Sequence, residues 1–262
     1  MLNNKLIFKH YLKLNFILMQ YFLSQTKDYK LVNELVMKFI ERLEKCNKLL
    51  QIALDFTDIN PAIKIASSID RRENLILEAG TPLIKSYGIN SVKLLHSLKG
   101  NHLVFADLKI MDVGSLEANL AFSNGADAVS VSAATNIETI KETVEEANKW
   151  EGVVYGDLIG VEDIQKGIEK LKNAKVHVAL LHIGIDVQVK MGVTAGNYAQ
   201  LIKKIKDSFG GIVAVAGGIK PEEVPLISSA GADIIIIGGG ITKAKDPYEA
   251  TNIAIKNLNS KC

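Results

Sequence analysis

Short apolar runs alternate with longer segments of helical period between Leu49 and Leu258. The runs are rich in β-branched residues and are continuous, which predicts strands that are covered on both faces. Gly, Asp, Asn or Pro separates each run from the next helical segment. The predicted strands are residues 49–55, 74–78, 102–107, 127–131, 152–158, 175–181, 211–216 and 232–237, and the predicted helices are residues 59–69, 83–98, 114–124, 136–149, 162–172, 195–208, 221–229 and 247–258.

Eight strand and helix pairs within about 210 residues predict an α/β fold of the closed (β/α)₈ TIM barrel type, because an open sheet rarely uses eight evenly spaced strands. We assign residues 47–262 to this barrel domain and residues 1–46 to a helical extension of unknown role, with a helix near 31–45. Barrels of this class place their chemistry at the carboxyl ends of the strands. Polar residues after those ends are therefore the candidates for a site.

The extension mixes lysines with apolar residues, as a signal peptide does. Its apolar run, Leu14 to Met19, is short, and no small-residue cleavage site follows it before Thr26. We expect an amphipathic appendage, or sequence upstream of a truer start at Met19 or Met37. No segment of the chain approaches the roughly 20 apolar residues of a membrane span, so we predict no membrane association.

Composition narrows the function classes. The 31 Lys+Arg balance 29 Asp+Glu, which argues against a nucleic-acid-binding protein or a polybasic arm. Arginine occurs only at Arg42, Arg71 and Arg72, so the rest of the chain has no guanidinium group. Cys46 and Cys262 stand at the two ends of the barrel segment in sequence, so we expect no disulfide and no zinc site made from cysteines. Unpaired cysteines would fit a reducing cytoplasm.

The densest polar group is Asp107-Leu108-Lys109-Ile110-Met111-Asp112, after the third strand. Strand alternation places Asp107 and Lys109 on one side, and Asp112 in the loop can return toward the lysine. A lysine between two carboxylates stays protonated and can stabilise negative charge on a substrate. The alternative is a salt bridge at the rim, which the position at a strand end disfavours.

Two further polar residues end strands. Glu78 and Asp107 could offer two hard oxygen ligands to Mg²⁺, although Glu78 could instead pair with Lys109 or cap the next helix. His182 follows an apolar strand, and its imidazole can move a proton at neutral pH. His177, earlier in the same strand, is interpreted as a packed or surface histidine.

Glycines dominate the last two loops, with Gly217 and Gly218 after the seventh strand and Gly239 and Gly240 after the eighth. In barrels of this class, glycines there let backbone N–H groups and a helix N-terminus approach a phosphate. Gly-Gly alone would indicate only a turn. Since no arginine follows Arg72, we expect backbone donors to hold the phosphate.

At these residues the chain resembles the 3-hexulose-6-phosphate synthase family of the orotidine-monophosphate-decarboxylase superfamily, over roughly Leu49 to Leu258. The motifs that carry the resemblance are ALD (53–55), EAGTPLIK (78–85), ADLKIMD (106–112), HIGID (182–186), AGGIK (216–220) and GGGITKAKDP (238–247).

The resemblance implies a Mg²⁺-dependent lyase that reversibly joins formaldehyde to ribulose 5-phosphate, a sugar phosphate, through an enediolate. It also implies a homodimer in which the carboxylate after the lysine reaches the neighbouring subunit's site. The implied site residues are Glu78 and Asp107 for the metal, Lys109, Asp112 and His182 for catalysis, and Asp55, Asp107, Gly217, Gly218, Gly239 and Gly240 for the substrate and its phosphate.

The sequence departs from the family pattern at two positions, with Ile183 where Thr is usual and Ala216 at the start of the seventh loop. A decarboxylase of orotidine monophosphate or of 3-keto-gulonate 6-phosphate is the nearest alternative, because those relatives share Asp-x-Lys-x-x-Asp. They hold the phosphate with an arginine after the last strand, where this chain has glycines. A non-catalytic phosphate-binding barrel is the alternative from another class, and metal-dependent turnover would separate it from an enzyme.

Overall fold

The eight apolar runs form eight parallel strands in the computed structural model, which describes residues 38–70, 72–98, 100–183 and 195–262. Each strand pairs with the next, and β8 pairs with β1, so the sheet closes. The closed barrel confirms the predicted (β/α)₈ fold. The strands are β1 (Leu49–Leu54), β2 (Leu75–Ala79), β3 (Leu103–Ile110), β4 (Ala128–Ser132), β5 (Val153–Asp157), β6 (Val178–His182), β7 (Ile212–Ala216) and β8 (Ile234–Ile237).

Helices surround the barrel, and several begin at a side chain that caps the first turn. Asp58, Asn136, Asp163 and Asp246 each accept a hydrogen bond from a backbone N–H of the helix that follows. The helices are α1 (Lys38–Cys46), α2 (Ile59–Ser68), α3 (Thr81–Tyr87), α4 (Asn90–Ser97), α5 (Gly114–Phe122), α6 (Ile137–Lys149), α7 (Ile164–Asn173), α8 (Ala195–Phe209), α9 (Val224–Ser229), α10 (Gly239–Thr242) and α11 (Pro247–Leu258), with a 3₁₀ turn at Pro221–Glu223.

The single helix predicted for residues 83–98 is wrong in one respect, because the segment forms two helices. Gly88 ends α3 with a φ of 70°, in the left-handed region that glycine adopts without steric cost. The chain then turns into α4 at Asn90. The periodicity continued across the break, so it gave no sign of the glycine cap.

Two apolar layers fill the molecule. The larger one lies between the strands and the outer helices, as a barrel with buried strands requires. The smaller one lies inside the barrel and includes Phe105 and Tyr155, whose ring centroids are 4.5 Å apart. Phe39 of α1 joins this inner layer and packs edge-on against Tyr155 at 6.0 Å. Helix α1 therefore closes the amino-terminal end of the barrel, which we call the floor.

Residues 38–46 of the predicted extension are thus the part that the structure describes, and residues 1–37 lie outside the described residues. The division of the chain into an extension and a barrel at position 46 stays a prediction. Within the described ranges, no helix has the length and apolar character needed to cross a membrane.

The expectation of unpaired cysteines is wrong, because Cys46 and Cys262 form a disulfide across a sequence separation of 216 residues. Closure of the barrel brings the end of α1 next to the segment that follows α11, which sequence distance could not indicate. With the two cysteines paired, the cysteine content does not indicate a reducing compartment. A cytoplasmic location stays a prediction.

Candidate active site

The carboxyl ends of the strands form one rim of the barrel, which we call the mouth, opposite the floor. Parallel strands in a closed barrel place all these ends on the same side. Most of the candidate polar residues stand in or directly after them. The candidates are Asp55 after β1, Glu78 in β2, Asp107 and Lys109 in β3 and His182 in β6, and Asp157 at the end of β5 stands among them.

Lys109 owes its position to an irregularity in β3. The register between β3 and β4 shifts between Ala106 and Ile110, and Lys109 has a φ of 48°. A bulge of this kind redirects a side chain, and a left-handed non-glycine residue is a strained feature that often marks a functional site. The Lys109 backbone N–H donates to Ser130 Oγ at 2.8 Å, which holds the turn in place.

Two carboxylates hold the Lys109 ammonium. Nζ lies 2.9 Å from Asp107 Oδ2 and 2.9 Å from Asp157 Oδ2. Burial by itself would lower the pKa of Lys109, but the charges and hydrogen bonds of these two carboxylates outweigh it and raise that pKa. The lysine is therefore a fixed positive charge at the mouth.

Asp107 is itself fixed by neighbouring hydroxyls. Ser130 Oγ donates to Asp107 Oδ1 at 2.7 Å, and the Thr81 hydroxyl lies 2.7 Å from Oδ2. Because Thr81 begins α3 after β2, two elements fix the carboxylate from different sides. Its geometry is prepared before any substrate arrives.

Asp157 is the functional residue to which sequence reasoning assigned no role. It ends β5, is fully buried, and accepts from the Ile159 N–H at 2.9 Å. Burial alone would raise the pKa of Asp157, but His182 and Lys109 lower it below its ordinary value. Its position at the end of a strand was the available signal, whereas the pattern Asp-x-Lys-x-x-Asp indicated a carboxylate nearer in sequence.

Asp112 does not hold Lys109 within this chain, contrary to the prediction from that pattern. Its side chain is exposed on the rim, and Asp112 Oδ1 accepts from the Val113 N–H at 2.8 Å. Val113 has a φ of 43° and directly precedes α5. The second carboxylate on Lys109 is Asp157 instead.

His182 lies close to Asp157 and Lys109. Its Nδ1 is 3.4 Å from Asp157 Oδ2 and 3.5 Å from Lys109 Nζ, and the ring is 23% exposed. A half-buried imidazole at the mouth, oriented by a carboxylate, can exchange a proton with a bound molecule. Residues 184–194, which include the motif residue Asp186, lie outside the described residues.

Glu78 and Asp55 form an acidic corner beside Asp107. Burial raises the pKa of Glu78 well above its usual range, and the charges of Asp107 and Asp55 add to the effect. Loss of surrounding water likewise raises the pKa of Asp55, with Asp107 contributing, although Asp55 stays accessible from the mouth. Gln51, fully buried in β1, donates from Nε2 to Glu78 Oε2 at 2.6 Å. Glu78 therefore neither pairs with Lys109 nor caps α3.

This corner fits a hard divalent cation. The three carboxylates offer only oxygen donors, and their mutual repulsion would be relieved by a positive charge. Among the described residues, the mouth has no group of three ligand atoms that all lie within 4.8 Å of one another. Protein atoms alone would not enclose an ion there, which matches the usual Mg²⁺ arrangement of one or two carboxylates completed by waters and substrate oxygens.

The glycine loops lie beside this corner. Gly217 and Gly218 have φ values of 120° and 63°, which side chains rarely adopt. A Cβ on Gly240 would lie 2.6 Å from the Ile219 carbonyl oxygen, so the loops after β7 and β8 approach closely only with glycine there. Gly239 begins the short helix α10. The predicted phosphate donors are thus in adjacent loops of the mouth.

Comparison with known proteins identifies relatives over most of the chain. The family described as "Orotidine 5'-phosphate decarboxylase / HUMPS family" matches residues 48–253. The "Bifunctional enzyme Fae/Hps" of Archaeoglobus fulgidus is 39% identical over 199 residues, which cover 75% of this chain and 49% of that protein. The chain spans about half the length of the curated relatives it matches.

Two solved structures share the architecture. A crystal structure of a 3-hexulose-6-phosphate synthase has 32% sequence identity and a TM-score of 0.73, covering 80% of this chain and 99% of the other. The crystal structure of KGPDC from Streptococcus mutans has 25% identity and a TM-score of 0.70, covering 80% and 97%.

Proposed function

Because the chain belongs to the orotidine 5'-phosphate decarboxylase / HUMPS family, we propose that it is a 3-hexulose-6-phosphate synthase, a lyase that reversibly joins formaldehyde to ribulose 5-phosphate. The observation that carries the proposal is the Lys109 ammonium fixed between Asp107 and Asp157, with His182 beside it. The names of the Archaeoglobus relative and of the first solved structure support this activity over others in the family.

In the proposed reaction, His182 and Lys109 act on a sugar phosphate bound at the mouth. His182 removes the proton from the carbon next to the sugar carbonyl, and Lys109 stabilises the negative charge of the enediolate that forms. The enediolate carbon forms a bond to the formaldehyde carbon, whose C=O π electrons move to oxygen. His182 then returns its proton to that oxygen, so the enzyme ends as it began. Asp157 holds Lys109 and orients the imidazole throughout.

Glu78 and Asp107 would hold the proposed Mg²⁺, with Asp55 facing the substrate. When bound, the cation would supply Lewis-acid polarisation of the substrate carbonyl, which lowers the pKa of the neighbouring C–H. Gly217, Gly218, Gly239 and Gly240 would bind the phosphate through backbone N–H groups. The magnesium dependence and the phosphate site are both part of the proposal.

A homodimer is the second part of the proposal. Met111, Val113, Leu116 and Leu120 are between 46% and 66% exposed and lie in the loop after β3 and on α5. A contiguous apolar patch of this kind is typical of a protein interface. Asp112 stands within the patch, so a second copy docked there would bring its own Asp112 toward the neighbouring mouth, in the catalytic role expected from sequence.

A substitution in the patch tests the dimer. Leu116→Glu would place a charge at the centre of the interface, and we expect a monomer by analytical ultracentrifugation, with loss of activity. Leu226→Glu, at an exposed leucine on α9, is the matched control and should leave the assembly unchanged. A monomeric wild-type protein with full activity would contradict this part of the proposal.

The decarboxylation of 3-keto-gulonate 6-phosphate is the competing activity, and the similarity to the Streptococcus mutans structure favours it as the alternative. The absence of arginine after Arg72 argues against it, because those relatives hold the phosphate with an arginine. The two reactions release or consume different molecules. Formaldehyde loss indicates the synthase, and CO₂ release indicates the decarboxylase.

The deciding experiment measures formaldehyde consumption by the purified full chain with ribulose 5-phosphate, with Mg²⁺ or with EDTA. We expect metal-dependent loss of formaldehyde and a six-carbon sugar phosphate by NMR. Lys109→Ala is the inactive control. A folded sample that consumes no formaldehyde but releases CO₂ from 3-keto-gulonate 6-phosphate would assign the decarboxylase, and one inactive in both assays would indicate a binding protein.

A further inference from the structure

The cysteine pair at the floor lies at the opposite end of the barrel from the proposed active site. Cys46 ends α1 and is fully buried, while Cys262 follows α11 and is exposed. Their Cα atoms are 4.7 Å apart, within the range that a disulfide needs. The pair therefore joins the helix that closes the barrel to a segment more than 200 residues away in sequence.

Contacts other than the sulfur atoms hold the two segments together. The Cys46 carbonyl oxygen accepts from the Lys261 N–H at 2.8 Å and from Ser260 Oγ at 2.9 Å. The two thiols would consequently stay close in the reduced protein, so closing the disulfide requires no rearrangement of the backbone. Glu73, which pairs with Lys45, lies beside them.

We propose that Cys46 and Cys262 are a reversible thiol–disulfide site that fastens α1 to the barrel floor. The oxidant is a small-molecule disulfide of the glutathione type. The exposed Cys262 thiolate attacks one sulfur of that disulfide, forming a mixed disulfide and releasing one thiolate. The Cys46 thiolate then attacks the Cys262 sulfur and releases the second thiol. Two protein thiols are oxidised, and one small disulfide is reduced to two thiols.

The site acts on stability through α1. That helix supplies Phe39 to the inner apolar layer, so fastening its end keeps the floor closed. A bond across so long a loop also restricts the unfolded chain. No residue of the mouth contributes to the pair, and we expect oxidation to leave the rate of the proposed reaction unchanged.

Mass spectrometry of the full chain tests the pairing. After incubation with glutathione disulfide and then iodoacetamide, we expect an intact mass about 2 Da below the reduced chain, without alkylation, and a peptide that links Cys46 to Cys262. Reduction should expose two alkylatable thiols. Two free thiols after the oxidising treatment, or a disulfide between two chains, would overturn the proposal.

Thermal unfolding tests the consequence for the fold. We expect oxidised wild-type protein to melt roughly 5–10 °C above reduced protein. Cys262→Ser, at an exposed position, should melt with the reduced protein whether or not reductant is present. A melting temperature that does not respond to oxidation in a fully disulfide-bonded sample would show that the bond does not fasten α1.

A third measurement separates the disulfide from metal binding. Both sulfurs and a Glu73 carboxylate oxygen lie within 4.8 Å of one another, which would also suit a thiophilic cation. Incubation of the reduced chain with zinc, followed by dialysis and metal analysis, should leave no stoichiometric zinc. One zinc per chain that is lost in Cys262→Ser would make the pair a metal site and overturn the proposal. Neither result depends on the activity proposed for the mouth.

Discussion

The mouth and the floor of the barrel use buried groups in different ways. At the mouth, Lys109 contacts two carboxylates, and Glu78 is buried with its pKa raised by burial and by neighbouring negative charge. At the floor, Phe39 packs against Tyr155 and a disulfide joins α1 to the end of the barrel. Buried charge rarely adds stability, whereas apolar contacts and cross-links do. The comparison indicates that the mouth is arranged for chemistry and the floor for stability.

The largest effect should follow from removing the charge at the mouth. Lys109→Ala deletes the group that we propose stabilises the enediolate, and we expect kcat/KM to fall by about 10³-fold or more. The fold should survive, because Asp157 can take up a proton once its cation is gone. Formaldehyde consumption and circular dichroism measure the two outcomes.

Lys48 provides the matched control at the floor. Its Nζ donates to the carbonyl oxygens of Ser228 and Ala232 at 2.9 and 2.8 Å. Lys48→Ala should lower the melting temperature and leave kcat/KM unchanged. A near-wild-type rate for Lys109→Ala, or a lost rate for Lys48→Ala in a folded sample, would contradict the division between the two ends.

Removing Phe39 at the floor should lower stability strongly and leave catalysis almost unchanged. Phe39→Ala leaves a cavity against Tyr155, and we expect a loss of about 3–5 kcal/mol in the free energy of unfolding. Catalysis at a temperature where the variant is folded should stay within twofold of wild type. Urea unfolding gives the first quantity, and Leu226→Ala, at an exposed position outside the proposed interface, is the control for truncation without a cavity.

His177 and His182 lie at opposite ends of the β6 region, so pH-dependent measurements can distinguish the floor from the mouth. Burial lowers the pKa of His177, near the floor, to about 4, and its Nδ1 accepts from the Val154 N–H at 3.1 Å. The unfolded chain binds a proton near pH 6.5, whereas the folded chain binds it only near pH 4. Stability should therefore fall as the pH drops through this window, by roughly 3 kcal/mol from this residue.

His177→Gln keeps a hydrogen-bond acceptor and removes the titration. Unfolding curves between pH 7 and pH 4 should be flatter for this variant than for wild type, with an unchanged rate at neutral pH. His182→Gln at the mouth should lose activity, because it removes the proposed proton carrier. Equal slopes for His177→Gln and wild type would show that burial of His177 does not contribute to acid unfolding.

The smallest expected effect concerns Gln51, which bonds Glu78 from inside the barrel. Gln51→Leu removes the donor that orients the carboxylate, and we expect Mg²⁺ to bind about tenfold more weakly. Calorimetric titration with Mg²⁺ in the absence of substrate measures this directly. Gln165→Leu, on the exposed face of α7, is the control. Unchanged Mg²⁺ affinity in Gln51→Leu would indicate that the hydrogen bond from Gln51 does not help Glu78 to bind the metal.

The sequence determined the fold and most of the candidate site. Continuous apolar runs require strands covered on both faces, and eight of them at even spacing require closure. The same reasoning places Glu78, Asp107, Lys109 and His182 at one rim, because each stands at a strand end. These conclusions depend on the local periodicity of the sequence. That periodicity can be read without knowing which segments become neighbours in the fold.

Only the tertiary structure decided the contacts between residues far apart in sequence. The partner of Lys109 is Asp157 rather than Asp112, because a bulge in β3 redirects the lysine across the mouth and Asp112 is exposed on the rim. The partner of Cys46 is Cys262, because closure of the sheet brings the two ends of the barrel domain together. Sequence spacing orders the candidates along the chain, but distances across a closed barrel are set by which strands become neighbours and where each backbone turns.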